Sequence, residues 1–467
     1  MEKEQNIQGD SSLQDGLPLD EEKTEDIAEQ IQNLVEHDKQ LTAIELLSQL
    51  RPGDQGKVME VLPLETQQEI LTTLPPEKAA EILEYLEPED AAKVSKGVDS
   101  SVLADILDET DSDVTADILR QLPGEQAQDV LGKMKEAAEV VIHLLQYPDD
   151  SAGGRMILEY VVVKNNTTAA DALVTLRQQE LKVKDIRSVF VVDAEEHLVG
   201  KLSIVRLALT QPKTMVKDIM APDIIFVTGE TNQEECARVM ERYNLDQLPV
   251  VDEDRRLVGV IMSEDVIDIV EEEATEDMYK LVGIHGERVL RPLHISMRNR
   301  LPWLFINLVT TFLAALVISI FESTIARVVT LAVFLPVVAG QGGIGGTQTL
   351  TLVVRSMALG EITKQRGFRL LGREISLGII HGLLLGVAVG ILAYLWKGNY
   401  MLGVILGMAM VGNMVIAGLT GAGVPLLLSR LKIDPAVASA VIVTTCTDVV
   451  GFLLFLGLAT ALVSFLL

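Results

Sequence analysis

Five long apolar stretches fill the last third of the chain: Leu301–Phe321, Val328–Val354, Ile375–Trp396, Met401–Leu428 and Ala436–Leu467. Each reaches about 20 residues, the length a helix needs to cross about 30 Å of hydrocarbon. The pattern predicts five membrane-spanning helices. Upstream the period is different. From about Glu21 to Tyr147 a register of twelve residues recurs at Leu50, Leu62, Leu74, Leu86, Val98, Thr110 and Leu122. Start signals recur with it, as in LPLETQQEI, LPPEKAAEI, LEPEDAAKV and LPGEQAQDV. Proline early in a helix removes only an N–H that lacks an intrahelical partner, and acids suit the first turn. One short helix per unit cannot bury its face alone. Neighbours must therefore stack, which predicts an all-α superhelix.

Between Ser151 and about Asp268 the texture changes to strands and helices, and it occurs twice. SVFVVDAEEHLVGKLS at 188–203 falls on QLPVVDEDRRLVGVIM at 247–262, at an offset of 59. Apolar strand, acidic turn, apolar strand and helix make a small α/β unit. This doubled unit resembles a tandem pair of CBS domains. Members of that family often hold adenosine nucleotides through a Thr or Ser, two residues, then Asp. Here Met262 takes the hydroxyl position before Asp265. The resemblance leaves two expectations open: a site for ATP or another adenosine nucleotide, or a structural pair that transmits movement.

Ser263–Ile284 then reads as one long connecting helix. Asp265, Asp268, Glu272 and Glu276 form one row, and Glu273 and Asp277 another. Like charges at i, i+3/i+4 spacing repel. A solvated helix tolerates this, and a hard divalent cation prefers such rows of oxygens. The spacing alone allows both readings. The expected layout is a disordered tail at 1–20, a helical domain at 21–148 and the α/β pair at 149–262. The connecting helix at 263–284 and a five-helix transmembrane domain at 285–467 complete it.

Charge sharpens the picture. The net charge is −28, but from Leu301 onward only Glu322, Glu361, Glu374, Asp434 and Asp448 are acidic, against nine bases. The acidity therefore belongs to the extramembrane part, which would repel phosphate and so excludes a nucleic-acid partner. It suits either a solvated surface or a divalent-cation sponge. Bases orient the spans. Arg288, Arg291, Arg298 and Arg300 precede the first; Arg355, Lys364, Arg366, Arg369 and Arg373 separate the second and third; Arg430 and Lys432 separate the fourth and fifth. The alternate loops carry Arg327 and Lys397. Eleven against two predicts a cytoplasmic N-terminus and an extracytoplasmic C-terminus.

No nucleophile elbow, phosphate loop or zinc-hydrolase motif occurs, so the chain is not expected to be an enzyme. Cys236 and Cys446 lie in segments of different character, and the six histidines are scattered. Neither suggests a disulfide or a soft-metal site. The distinctive residue is Asp448, twelve residues past Ala436, about 18 Å along a helix and near mid-bilayer. A carboxylate there costs roughly 2.5–3.5 kcal/mol against lipid. No Lys or Arg lies deep in another span to pair with it. The residue type points to a wetted path for a cation. Thr444, Thr445 and Gly451 give it a small polar face. In the second span Pro336 with Gly340, Gly342, Gly343, Gly345 and Gly346 is expected to weaken a continuous helix, either lining a cavity or packing closely. Asn413 reads as an interhelical hydrogen bond.

The order of parts resembles the MgtE family of magnesium channels over nearly the whole chain. The matching motifs are PVVAGQGGIGGTQTLTLVVRSMALGEI, EEEATEDMYKLVGI and TDVVGFLLFLGLA. The resemblance implies a membrane homodimer enclosing one pore, with Asp448 of both copies holding a hydrated Mg²⁺. It implies that the connecting helix plugs the pore when cytosolic Mg²⁺ is high. Asp265, Asp268, Glu273, Glu276, Asp277 and Glu234 then hold regulatory ions, with Asp105 matching through LAD alone. Gly342, Gly343 and Gly346 are expected to line the pore with Thr444, Thr445 and Gly451. Three departures stand out: Ile344 replaces the family's usual Asn, and Asn232 and Asn244 replace two sensor acids. Rival expectations are Co²⁺, Ni²⁺ or Mn²⁺ transport by the same route, and a non-conducting membrane-anchored sensor of a cation or nucleotide.

Overall fold

The twelve-residue register ends helices. Leu62, Leu74 and Leu122 are C-cap residues with extended backbone, and each is buried. Leu50, Leu86, Val98 and Thr110 lie in the connections between neighbouring helices and are buried as well. Met134 continues the series as the buried C-cap of Gly124–Lys133. Helices of eight to ten residues separated by two to four give the period. Pro52, Pro76 and Pro88 are first residues of their helices, where no backbone hydrogen bond is lost. Each helix packs on the next but one: Pro52–Val61 on Pro76–Glu84, and Pro88–Ser95 on Ser112–Gln121. That stacking is the superhelix.

The computed structural model describes residues 19–135, 138–178, 188–284, 293–362, 367–437 and 440–466. The expected tail lies outside the described residues as far as residue 18, as do Arg288, Arg291, Lys364 and Arg366. The chain divides into two compact units, Met1–Val270 and Glu271–Leu467.

The first unit ends with the two α/β repeats. β1 (Val162–Lys164) pairs in parallel with β2 (Ser188–Val192), which pairs antiparallel with β3 (Leu198–Ser203). β4 (Val227–Thr228), β5 (Gln247–Val251) and β6 (Leu257–Met262) repeat that order. The offset of 59 holds to the residue, down to matching bulges at Val191/Val192 and Val250/Val251. β2 and β5 are buried throughout, as central strands covered on both faces must be. From β6 the chain enters α1 (Ser263–Leu281).

Among its described residues the second unit holds five helices long and apolar enough to cross a membrane: α2 (Leu293–Ile320), α3 (Thr330–Ala358), α4 (Gly367–Lys397), α5 (Tyr400–Arg430) and α6 (Ala440–Ala461). The apolar stretch that began at Ala436 is divided. A 3₁₀ turn, Pro435–Val437, precedes α6, and a short helix, Val463–Leu466, follows it. The expected weak point in the second span is absent, because α3 runs unbroken through Pro336 and all its glycines. Close packing is the physical reason. Without side chains, Gly342, Gly343, Gly345 and Gly346 let α5 and α6 approach, and buried helical backbone keeps its own hydrogen bonds. A Cβ on Gly346 would sit 2.5 Å from Val443, and one on Gly345 would sit 2.7 Å from Met414. α5 is the central, most buried span and packs against α3, α4 and α6.

Candidate functional site

Gly343 meets Thr444 and Gly346 meets Val443, so α3 and α6 run antiparallel. Beside this contact is an open trough of about 930 Å³. α3 lines it with one helical face: Gly340, Gly343, Ile344, Thr347, Gln348, Thr351 and Arg355. α6 contributes Thr444 and Asp448. Asp448 is partly buried and has no ion pair or hydrogen bond among the described residues. Thr444 Oγ1 donates to the Val441 carbonyl at 3.1 Å, and Thr347 Oγ1 donates to the Gly343 carbonyl at 2.9 Å. With their protons turned to the backbone, both oxygens offer lone pairs to whatever fills the trough. The arrangement suits a hydrated cation.

Of the residues expected to line a path, the trough takes Asp448, Thr444 and Gly343. Gly342, Gly346 and Gly451 are buried against neighbouring helices, and Thr445 turns its hydroxyl back to the Val441 carbonyl at 2.6 Å. Gly342 and Gly451 flank Asn413, whose Nδ2 donates to the Val338 carbonyl at 2.8 Å while Oδ1 has no partner among the described residues. Gln348, Thr347, Thr351 and Arg355 were not singled out from the sequence. Their signal is the i+4, i+8, i+12 series from Gly343 to Thr347, Thr351 and Arg355, with Gln348 at i+8 from Gly340. Glu374 was also missed. It is buried in α4, accepting from Thr349 at 3.2 Å and from Arg373 at 2.9 Å.

The acidic residues fall into two groups. In the first unit Asp265, in the first turn of α1, accepts from the Met262 N–H at 3.1 Å. This is one half of a capping box, and Met262 has no hydroxyl to complete it. Burial, joined by the charges of Glu264, Asp268 and Asp111, pushes the Asp265 carboxyl up to about 7. Asp113 faces it. Burial and the Asp265 charge hold the Asp113 carboxyl well above the usual range, and its Oδ1 has no partner among the described residues. Asp113 and Asp111 escaped notice because acids at a helix start also serve the dipole.

In the second unit Lys280 binds Glu276 at 2.9 Å and Asp434 at 2.7 Å. Burial, with Asp434 nearby, pushes the Asp277 carboxyl up to about 6. Asp268 and Glu273 hold interactions of their own. Asp105 is bridged to Lys135 at 2.7 Å, and Glu234 to Arg238 at 3.1 Å. Asn232 and Asn244 have capping roles. Asn232 accepts from the Glu234 N–H at 2.9 Å, and Asn244 ends the same helix at φ +50°, a conformation asparagine tolerates.

Comparison with known proteins bears on these features together. The magnesium transporter MgtE of Bacillus subtilis (strain 168) is 34% identical over 336 residues, covering 71% of this chain and 74% of that protein. The chain belongs to the MgtE family. The MgtE divalent cation transporter region matches residues 335–458, which run from Leu335 in α3 to Leu458 in α6 and so include both walls of the trough. The MgtE intracellular N domain matches 50–150, within the superhelix, and a CBS domain matches 216–272. The magnesium transporter MgtE of Thermus thermophilus is 36% identical over 68% of this chain and 71% of its own. A crystal structure of the cytosolic domain of the Mg²⁺ channel MgtE in complex with ATP is similar at 34% identity, covering 52% of this chain and 99% of that one, with a TM-score of 0.49. MgtE membership makes this a multi-pass membrane transporter with an extramembrane CBS pair.

Proposed function

We propose that the chain carries Mg²⁺ through a pore whose wall is the trough, and that Asp448 recognises the ion through its water shell. The observation that carries this reading is Asp448 itself, an acid in a membrane helix, on an open trough, with no basic partner among the described residues. Mg²⁺ gives up water reluctantly, and a trough of about 930 Å³ has room for the hydrated ion. The open side of the trough suits closure by a second copy, giving a homodimer with two Asp448 carboxylates. Membrane potential drives entry, with about 2.3 kcal/mol per charge per 100 mV, doubled for a divalent ion. The basic loops favour a cytoplasmic N-terminus and an extracytoplasmic C-terminus.

The acidic groups support a cytosolic sensor. Without a cation, Asp113, Asp265 and Asp268 repel, as do Asp277 and Asp434. Bound Mg²⁺ bridges them and holds α1 in the closed arrangement. Such a switch requires Mg²⁺ to bind the closed state more tightly than the open one. An adenosine nucleotide at the CBS pair, if bound, has to be held by groups other than Met262. Mg²⁺ uptake by liposomes containing the full chain, under an imposed potential and with the internal Mg²⁺ varied, tests transport and closure together.

A further inference from the structure

Among the described residues two charged side chains line the trough, and they lie at opposite ends. Arg355 is twelve residues beyond Gly343, the residue that touches Thr444, and Asp448 is one turn beyond Thr444 in the other direction. At 1.5 Å per residue the two are roughly 24 Å apart along the bundle, too far for an arginine to reach the carboxylate. The lining between them is uncharged: Thr347, Gln348 and Thr351. Leu281, the last residue of α1, packs against the apolar cluster that holds Leu350 and Val354 of α3. Arg355 therefore marks the end of the trough at which α1 joins the membrane helices. Its side chain is exposed and has no ion pair among the described residues.

A cation leaving Asp448 toward that end meets a positive charge. We propose that Arg355 is a rate-setting residue of the permeation path, a repulsive charge at its α1 end. This rests on the pore reading above. A divalent ion passing within about 5 Å of one guanidinium in water is slowed about tenfold, and a second copy adds to the effect. Conduction needs binding strong enough to admit the ion and weak enough to release it. A repulsive exit keeps ions from accumulating between the acid and the α1 end. The ordinary alternative is an arginine that snorkels to lipid headgroups, where its charge has no bearing on flux.

The test is Mg²⁺ uptake by proteoliposomes of the full-length Arg355→Lys, Arg355→Gln and Arg355→Glu variants, beside Asp448→Ala. Initial rates are measured under one clamped potential and normalised to folded protein. Rates rising in the order Lys, Gln, Glu, by about threefold to tenfold per step, with the spread narrowing in high salt, support the inference. If the glutamine variant does not fold, the contrast of Lys with Glu carries the same test. Equal rates, or rates falling in that order, overturn it while the pore reading stands, provided Asp448→Ala is inactive. Undiminished uptake by Asp448→Ala overturns both.

Discussion

The side-chain amide of Asn413 on α5 donates to the main-chain carbonyl of Val338 on α3, 2.8 Å away. The same side chain fills the space left by Gly342 on α3 and Gly451 on α6. One residue thus fixes both helices that carry the trough, from behind. Interhelical hydrogen bonds in membranes average about 0.6 kcal/mol and reach about 1.7. With the cavity term added, Asn413→Ala is expected to destabilise the membrane unit by about 2 kcal/mol. Asn413→Leu, which presses a larger group on two glycines, is expected to lose uptake altogether. Thermal unfolding in detergent and liposome flux check both. Unchanged stability and flux in Asn413→Ala would remove this residue from the account.

The carboxylates of the first unit predict a pH dependence. Asp265, at about 7, and Asp113, also raised, sit above the unfolded value of about 4. The groups facing them are Asp111, Asp117, Glu264 and Asp268, all acidic. A raised carboxyl contributes stability that is complete below its unfolded pKa and is lost as pH climbs through its folded value. In Mg²⁺-free buffer the first unfolding transition of the full chain should therefore fall by several degrees between about pH 5 and pH 8. Mg²⁺ should flatten that slope by neutralising the same oxygens. A transition that rises with pH, or a slope that Mg²⁺ leaves untouched, contradicts the assignment.

Lys280 supplies a built-in cation where the proposed regulatory ion has to compete. Its Nζ lies between Glu276 and Asp434, beside Asp277. Lys280→Gln is expected to lower, by roughly threefold, the Mg²⁺ concentration that protects residues 263–284 from protease, since no tethered charge then opposes binding. Protection that needs more Mg²⁺ than in the parent chain would show that Lys280 assists the ion instead.

Ile344 puts an apolar side chain on the trough. Ile344→Asn adds a hydrogen bond to the passing water shell. About 1 kcal/mol from that bond predicts a roughly fivefold lower half-saturating Mg²⁺ concentration. Competition by Co²⁺, Ni²⁺ and Mn²⁺ in the same assay shows whether the residue also sets selectivity.

Repetition and hydropathy made most of the fold legible. The offset of 59 placed β2 on β5 and β3 on β6 because each copy buries the same central strand and repeats the same pairing register. The register from Leu50 to Leu122 falls at helix ends because a connection that turns inward has to be apolar or, as at Thr110, to hydrogen-bond its own helix. Local propensity misled at Pro336 and the glycines of α3, where tertiary packing in an apolar solvent outweighs helix-breaking tendency. What stayed hidden depends on partners distant in sequence. Glu374 looks like any loop acid until Thr349 comes beside it, and Asp434 gains meaning only beside Lys280 and Asp277. Arg355 reads as one more orienting base until the face it shares with Gln348 and Thr351 is seen.

The most direct measurement compares Mg²⁺ entry into liposomes carrying the full-length parent chain with entry into liposomes carrying Asp448→Ala, at matched folded protein and an imposed inside-negative potential. The account predicts that the parent takes up Mg²⁺ at a rate that grows with the potential and that the variant falls to the leak of empty liposomes. Uptake by Asp448→Ala at the parent rate would contradict it.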